Sequence, residues 1–357
     1  MTARPAQAQY VGQVSSFVID AGTGLILQQY NPDLQRFPAS LTKLMTLYLA
    51  FQALRDSRIA LDQAVPVSLH AASMEPTKLG LVPGTYVTVE QAILALVTKS
   101  ANDAACALGE MLADGNEQRF GQLMTQQARL LGMSNTTFRN ASGLPDPGQV
   151  STARDFAVLA RHLIRDFPDQ YHYFAVPAFM FHGRMIGNHD PMLRAYPGAD
   201  GLKTGYTIDA GHNLVSSAMR GNVRLIGVLL GARTNPQRTA MMANLLDAGF
   251  QQEGVPVMAR VVPHVSGRRG RSLELVADEA PRRPVWHGHH RLHHGVASRA
   301  PVHLTVARYL SGHARHGVHF FGARLRRVVA HGHHPARIRL TSILRDSRPA
   351  ADSQREG

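Results

Sequence analysis

The chain has 357 residues, 44% of them hydrophobic, and is long enough to bury one large core or two smaller ones. Its single cysteine, Cys106, excludes an intramolecular disulfide framework; no CxxC or Cys/His zinc spacing surrounds it, and a buried apolar filler is its expected role. The formal charge of +13 is concentrated in one region, because residues 261–357 hold 17 Arg, no Lys and 6 acidic residues, which leaves only about +2 on the first 260.

The first residues, MTARPAQAQYVGQ, lack the charged and apolar regions of a signal peptide, although AQAQ resembles the small-residue end of one. Residues 1–11 therefore read as an N-terminal remnant or leader. SSFVID and GLILQQY, separated by AGTG, read as a β-hairpin at the edge of a sheet. From Ala39 to Leu54 apolar residues cover nearly every face of a helix, with Pro38 marking its start. A second helix is expected over TVEQAILALVTKS, with Thr88 as its cap and Glu90 and Gln91 in its first turn. ANDAACALGEMLA reads as a third, and amphipathic helices follow at EQRFGQLMTQQARLLG and STARDFAVLARHLIRDF, the latter with Asp155 after its serine or threonine start.

GHNLVSSAMR and VRLIGVLLGA return to strand-like runs joined by GN, and PQRTAMMANLLDAGF resumes helical periodicity. Strands at both ends with helices between them give an α+β plan, and no internal repeat is visible. Beyond about residue 260 the periodicity degrades, and 13 of the 19 histidines fall there. Residues 259–357 read either as a basic Arg/His-rich tail without a fold of its own or as a GC-rich gene translated out of frame. No run of 18 apolar residues supports a transmembrane helix.

Lysine occurs only at Lys43, Lys78, Lys99 and Lys203 among 38 basic residues. Arginine keeps its proton, whereas a desolvated lysine becomes a neutral base. Ser40 and Lys43 lie three residues apart on one helical face, the spacing a serine nucleophile needs from a lysine that takes its proton. A cap at Ser40 and a snorkelling Lys43 are the alternative.

KSAND contains Ser100, Ala101 and Asn102, and DGLKTGYT contains Lys203, Thr204 and Gly205. With SxxK they form, in order, the three elements of the penicillin-recognising serine peptidases and β-lactamases, which the chain resembles. PASLTKLMT, LVTKSANDAA, LGMSNTTFRNASGL, STARDFAVLARHLI and GLKTGYTIDAGHNLVSSA are most similar to the low-molecular-mass D-alanyl-D-alanine carboxypeptidases, over roughly residues 12 to 250.

The resemblance implies a β-lactamase/transpeptidase-like fold, an antiparallel sheet flanked by helices with a helical lobe, over residues 12–258. It implies hydrolysis of the terminal D-alanine of peptidoglycan pentapeptides, covalent inhibition by β-lactams, and a cell-envelope or periplasmic location. Ser40 would be the nucleophile and Lys43 its general base; Ser100 would relay a proton to the leaving amine, and Asn102 would hold the substrate amide and orient Lys43. Lys203 would supply fixed positive potential, Thr204 a hydrogen bond to the substrate carboxylate, and Gly205 room for close backbone approach. The backbone N–H groups of Ser40 and Tyr206 would form the oxyanion hole, and Arg238 would lie near the terminal carboxylate. Ser100 and Asn102 as ordinary helix caps and Arg238 as a solvated helix-start residue are the plainer readings.

Two departures bear on substrate preference: Ser142 replaces a histidine found in some relatives, and GNHDPML departs from a more usual Asn-x-Asn pattern. A β-lactamase is the nearest rival, but no Glu-x-x-Leu-Asn stretch lies between Ser100 and Lys203. A non-catalytic role, the basic tail attaching to cell-wall polymers, nucleic acid or anionic lipid, does not account for a Ser-Lys pair, and no nucleic-acid partner is expected. The chemistry requires no cofactor and no metal; His287, His289, His290, His293 and His294 lack acidic partners. The basic amphipathic stretch VARYLSGHARHGVHFFGARLRRVVA leaves membrane association open.

Overall fold

A computed structural model describes residues 13–263 and the strand at 273–276. Strand β1 (Ser15–Asp20) turns back into β2 (Ile26–Tyr30), and a 3-10 turn at Ala39–Thr42 leads into helix α1 (Lys43–Arg55). Next come β3 (Ala64–Pro66), α2 (Leu69–Ser73), β4 (Tyr86–Thr88), α3 (Val89–Thr98), α4 (Asn102–Leu112), α5 (Glu117–Leu130) and α6 (Ala153–Asp166). The hairpin β5 (Ala178–Phe181) and β6 (Arg184–Gly187) and the single turn α7 (Met192–Ala195) precede three long strands, β7 (Ala199–Thr207), β8 (Gly211–Arg220) and β9 (Val223–Ala232). Helix α8 (Asn235–Gln252) follows, then β10 (Arg260–Pro263) and β11 (Leu273–Val276), which pair with each other. Of the tail expected from residue 259, only these two strands are described; its histidine cluster and amphipathic stretch, like residues 1–11, lie outside the described residues.

The main sheet is antiparallel throughout, in the order β2-β1-β9-β8-β7, so the first and last thirds of the domain share one sheet. The hairpin sits at the edge of the sheet, as expected, with its second strand outermost. β1 is buried along its whole length between β2 and β9, and the edge is β2, whose Gln29 and Tyr30 face solvent. Both faces of the sheet centre are covered. On β9, Leu225 and Leu229 pack with Met242, Leu246 and Phe250 of α8, while Ile226, Val228 and Leu230 join the core built by α1 and α6. A period of two with two buried faces makes VRLIGVLLGA continuously apolar.

Helix α1 is enclosed on most sides, with Leu44, Met45, Leu47, Tyr48 and Phe51 all buried. Each such side chain contributes about 1.5–3 kcal/mol on burial. Helix α3 starts on a capping box: Thr88 Oγ1 accepts from Gln91 N at 3.1 Å, and Gln91 Oε1 accepts from Thr88 N at 3.0 Å. Thr152 caps α6 by accepting from Asp155 N at 3.1 Å.

Asp247 of α8 fastens the outer helix to the sheet. It accepts hydrogen bonds from Tyr196 Oη at 2.7 Å, from Arg220 Nη2 at 3.0 Å and from the Arg260 guanidinium. Arg220 is itself buried, so Asp247→Ala would leave it without a counter-charge. We expect that variant to lose about 3–5 kcal/mol of unfolding free energy in urea titration. A loss within about 0.5 kcal/mol of wild type, as for an ordinary surface change, would contradict the network's role.

Candidate active site

Ser40 lies in the 3-10 turn ahead of α1, immediately after Ala39, whose φ of 50° is costly for a residue with a Cβ. That turn is held from two sides. From β8, Asn213 Nδ2 donates to Phe37 O at 3.0 Å and Pro38 O at 3.2 Å, while Asn213 Oδ1 accepts from Gly231 N at 2.9 Å. From the opposite loop, Gly143 approaches so closely that a Cβ there would stand 1.9 Å from Ala39 O. The SGL within NASGL therefore serves packing against the serine turn.

Lys43 is fully buried, so it does not snorkel, and Ser40 makes no side-chain cap to the turn or to α1. Lys43 Nζ donates to Ser142 O at 2.5 Å and to Asn102 Oδ1 at 2.7 Å, and stands 3.2 Å from Ser40 Oγ. Asn102 Nδ2 donates to Glu75 O at 2.8 Å, which turns the amide so that its oxygen faces Lys43. Burial first, and then the charge of Lys203, hold the Lys43 amine well below the usual lysine range; Asp103 and Glu117 oppose the shift. A neutral amine has two N–H donors and one lone pair. Two of its three neighbours here are carbonyl-type acceptors that consume both donors, which leaves the lone pair for the Ser40 hydroxyl.

Ser100 has φ of 61°, and its buried Oγ makes no hydrogen bond among the described residues. Its carbonyl accepts from Thr77 Oγ1 at 3.0 Å, and Asn102 N donates to Thr77 O at 2.7 Å. Neither Ser100 nor Asn102 is a helix cap: the capping position before α4 is Ala101, which makes no side-chain cap.

On β7, Lys203 is buried, and its Nζ donates to Thr204 O at 3.2 Å. Burial, with Arg238 adding to it and Asp190 opposing, lowers its pKa to about 8. A Cβ on Gly205 would stand 3.2 Å from Ser40 N, so β7 runs against the serine turn. Tyr206 stacks on His212 with ring centroids 4.3 Å apart. Arg238, in the first turn of α8, is buried rather than solvated, and burial lowers its pKa.

Ser40, Ser100, Asn102, Thr204, Gly205, Tyr206 and Arg238 together line one cleft of about 780 Å³, with Lys43 and Lys203 bonded into its wall. Sequence reasoning missed Asn213, Glu75 and the carbonyl of Ser142, because their roles are backbone contacts made across the fold. It also missed Asp190, which is buried, accepts from Met192 N at 2.9 Å through Oδ1 and leaves Oδ2 without a hydrogen-bond partner among the described residues. Burial raises its pKa, while Arg238 and Lys203 act to lower it. GNHDPML, already singled out as a departure, was the available signal.

A family model described as D-alanyl-D-alanine carboxypeptidase matches residues 2–234. The chain is 34% identical over 281 residues to D-alanyl-D-alanine carboxypeptidase DacF of Bacillus subtilis, covering 74% of this chain and 70% of that protein. It is 40% identical over 241 residues to DacC of Escherichia coli, covering 66% of this chain and 60% of that one. Among solved structures, penicillin binding protein 5 from Haemophilus influenzae matches with a TM-score of 0.64 at 34% identity, over 70% of this chain and 73% of that one. The ampicillin-bound Penicillin-Binding Protein D2 from Listeria monocytogenes matches with a TM-score of 0.58 at 32% identity, over 70% of this chain and 100% of that one.

Proposed function

Since the chain belongs to the D-alanyl-D-alanine carboxypeptidase family, we propose that it removes the terminal D-alanine from peptidoglycan pentapeptides through an acyl-enzyme on Ser40. β-Lactams would acylate the same oxygen and remain attached. The observation that carries this reading is the environment of Lys43, whose two donors are occupied while its third neighbour, at 3.2 Å, is the Ser40 hydroxyl.

In this mechanism the Ser40 hydroxyl gives its proton to neutral Lys43 as Oγ attacks the carbonyl between the two D-alanines. The N–H groups of Ser40 and Tyr206 receive the developing oxyanion. Ser100 Oγ passes a proton to the departing amine, and D-alanine leaves. Water then hydrolyses the ester. Thr204, Lys203 and Arg238 hold the terminal carboxylate, and Asn102 holds both Lys43 and the substrate amide. The catalytic domain is assigned to residues 12–258, because every one of these side chains lies between Ser40 and Arg238. A peptidoglycan substrate places the enzyme in the cell envelope; no helix among the described residues is long and apolar enough to cross a membrane.

The reading is tested by incubating the chain with a peptide ending in D-Ala-D-Ala and measuring free D-alanine. Catalytic release supports a carboxypeptidase. Rapid turnover of penicillin without D-alanine release would favour the β-lactamase reading instead.

The pH profile supplies a second test. Lys203 must be cationic to attract the carboxylate, and its pKa is about 8. Peptidase kcat/KM should therefore fall above that pH by roughly tenfold per unit. A profile flat through that range would contradict the role given to Lys203.

A further inference from the structure

Cys106 and Glu110 stand four residues apart on α4 and so share one helical face. The thiol is fully buried within the apolar core, as expected, but the carboxylates of Glu117 and Glu110 also approach it: burial first, and then these two carboxylates, push it up. Glu110 is also buried, and it forms no salt bridge with Lys or Arg among the described residues. His70 arrives from α2, with Nε2 2.8 Å from Glu117 Oε2 at the start of α5. One ligand atom each from His70, Cys106 and Glu110 lies within 4.8 Å of the other two.

We infer that His70, Cys106, Glu110 and Glu117 form a binding site for a divalent transition-metal ion, zinc by the chemistry of the donors. One sulfur, one imidazole nitrogen and two carboxylates suit zinc or cobalt, whereas magnesium and calcium take oxygen alone. Three helices supply the four groups, and a dication would balance the carboxylates that now face a thiol and a histidine. Zinc bond lengths of about 2.0–2.3 Å bring ligand atoms to roughly 3.5 Å apart. The His70, Cys106 and Glu110 atoms, now within 4.8 Å of one another, must therefore draw together, with Glu117 joining through its contact to His70; His70, exposed on a short helix, is the group free to move. Binding forms the sulfur–metal bond and releases the Cys106 proton to solvent; His70 binds through a neutral ring nitrogen.

The site also bears on the cleft. Glu117 Oε1 accepts from Ala141 N at 3.0 Å, one residue before the Ser142 carbonyl that receives Lys43 Nζ. A bound ion would thus tie α2, α4 and α5 to the loop that seats Lys43.

Cys106 is the chain's only cysteine, so a thiolate-to-cobalt charge-transfer band can come from nowhere else, the tail histidines included. Titrating the reduced full-length chain with cobalt(II) should produce that band in the near ultraviolet, saturating at one equivalent and lost on adding zinc. Cys106→Ser should abolish it, and His70→Ala should weaken cobalt affinity at least tenfold. Retained penicillin labelling would establish that each variant is folded. Absence of the band from folded wild type at millimolar cobalt would overturn the proposal. So would a cobalt affinity unchanged in both His70→Ala and Glu110→Gln.

Discussion

Ser40→Ala is expected to lower D-alanine release by about 10⁶-fold, the loss typical when a nucleophile is removed from a group that acts as a unit. Its fold should be unaffected. The Ser40 side chain caps neither the turn nor α1, and its one side-chain hydrogen bond among the described residues is with Lys43 at 3.2 Å. The turn is held instead by Asn213 and by the approach of Gly143, both of which the variant keeps. Steady-state release of D-alanine and a thermal melt check the two halves of the expectation. A variant that melts like wild type yet retains a tenth of its activity would remove Ser40 from the mechanism.

Lys43→Arg should slow acylation by penicillin about 10²- to 10⁴-fold, the usual worth of a positioned general base. Arginine stays protonated and cannot accept the Ser40 proton. It is also larger, in a site with no solvent exposure and acceptors already at 2.5 Å and 2.7 Å. Lys43→Met separates chemistry from packing, because it keeps an unbranched chain of similar length without a base. Both variants should be slow. In wild type the rate should fall towards acid pH as the amine takes up a proton, and stopped-flow acylation across pH measures this. A folded Lys43→Met protein acylating at the wild-type rate would rule Lys43 out as the base.

Residues whose task is chemical were legible because few residue types perform it. A buried lysine in a chain that otherwise uses arginine, three residues after a serine, is conspicuous, and the two later motifs complete the set. Periodicity likewise located α1, α3, α6 and the paired strands β8 and β9. Long-range partnership was not legible. The order β2-β1-β9-β8-β7 depends on which strand joins the first hairpin, and local pattern does not specify that: the hairpin was legible as an edge, but not that β9 covers its inner strand β1. Cys106 shows the same limit, since its neighbours His70 and Glu117 come from other helices and no local spacing announces them. Position alone left Arg238 open to the plainer reading of a solvated helix-start residue, which the packing of α8 excludes by burying it.

The central claim, that Ser40 is the acylated oxygen, is tested most directly by locating the adduct after brief reaction of the wild-type chain with penicillin. Peptide mapping by mass spectrometry should find one penicilloyl group, on Ser40, with the peptides bearing Ser100 and Ser142 unmodified. An adduct on any residue other than Ser40 would contradict the account.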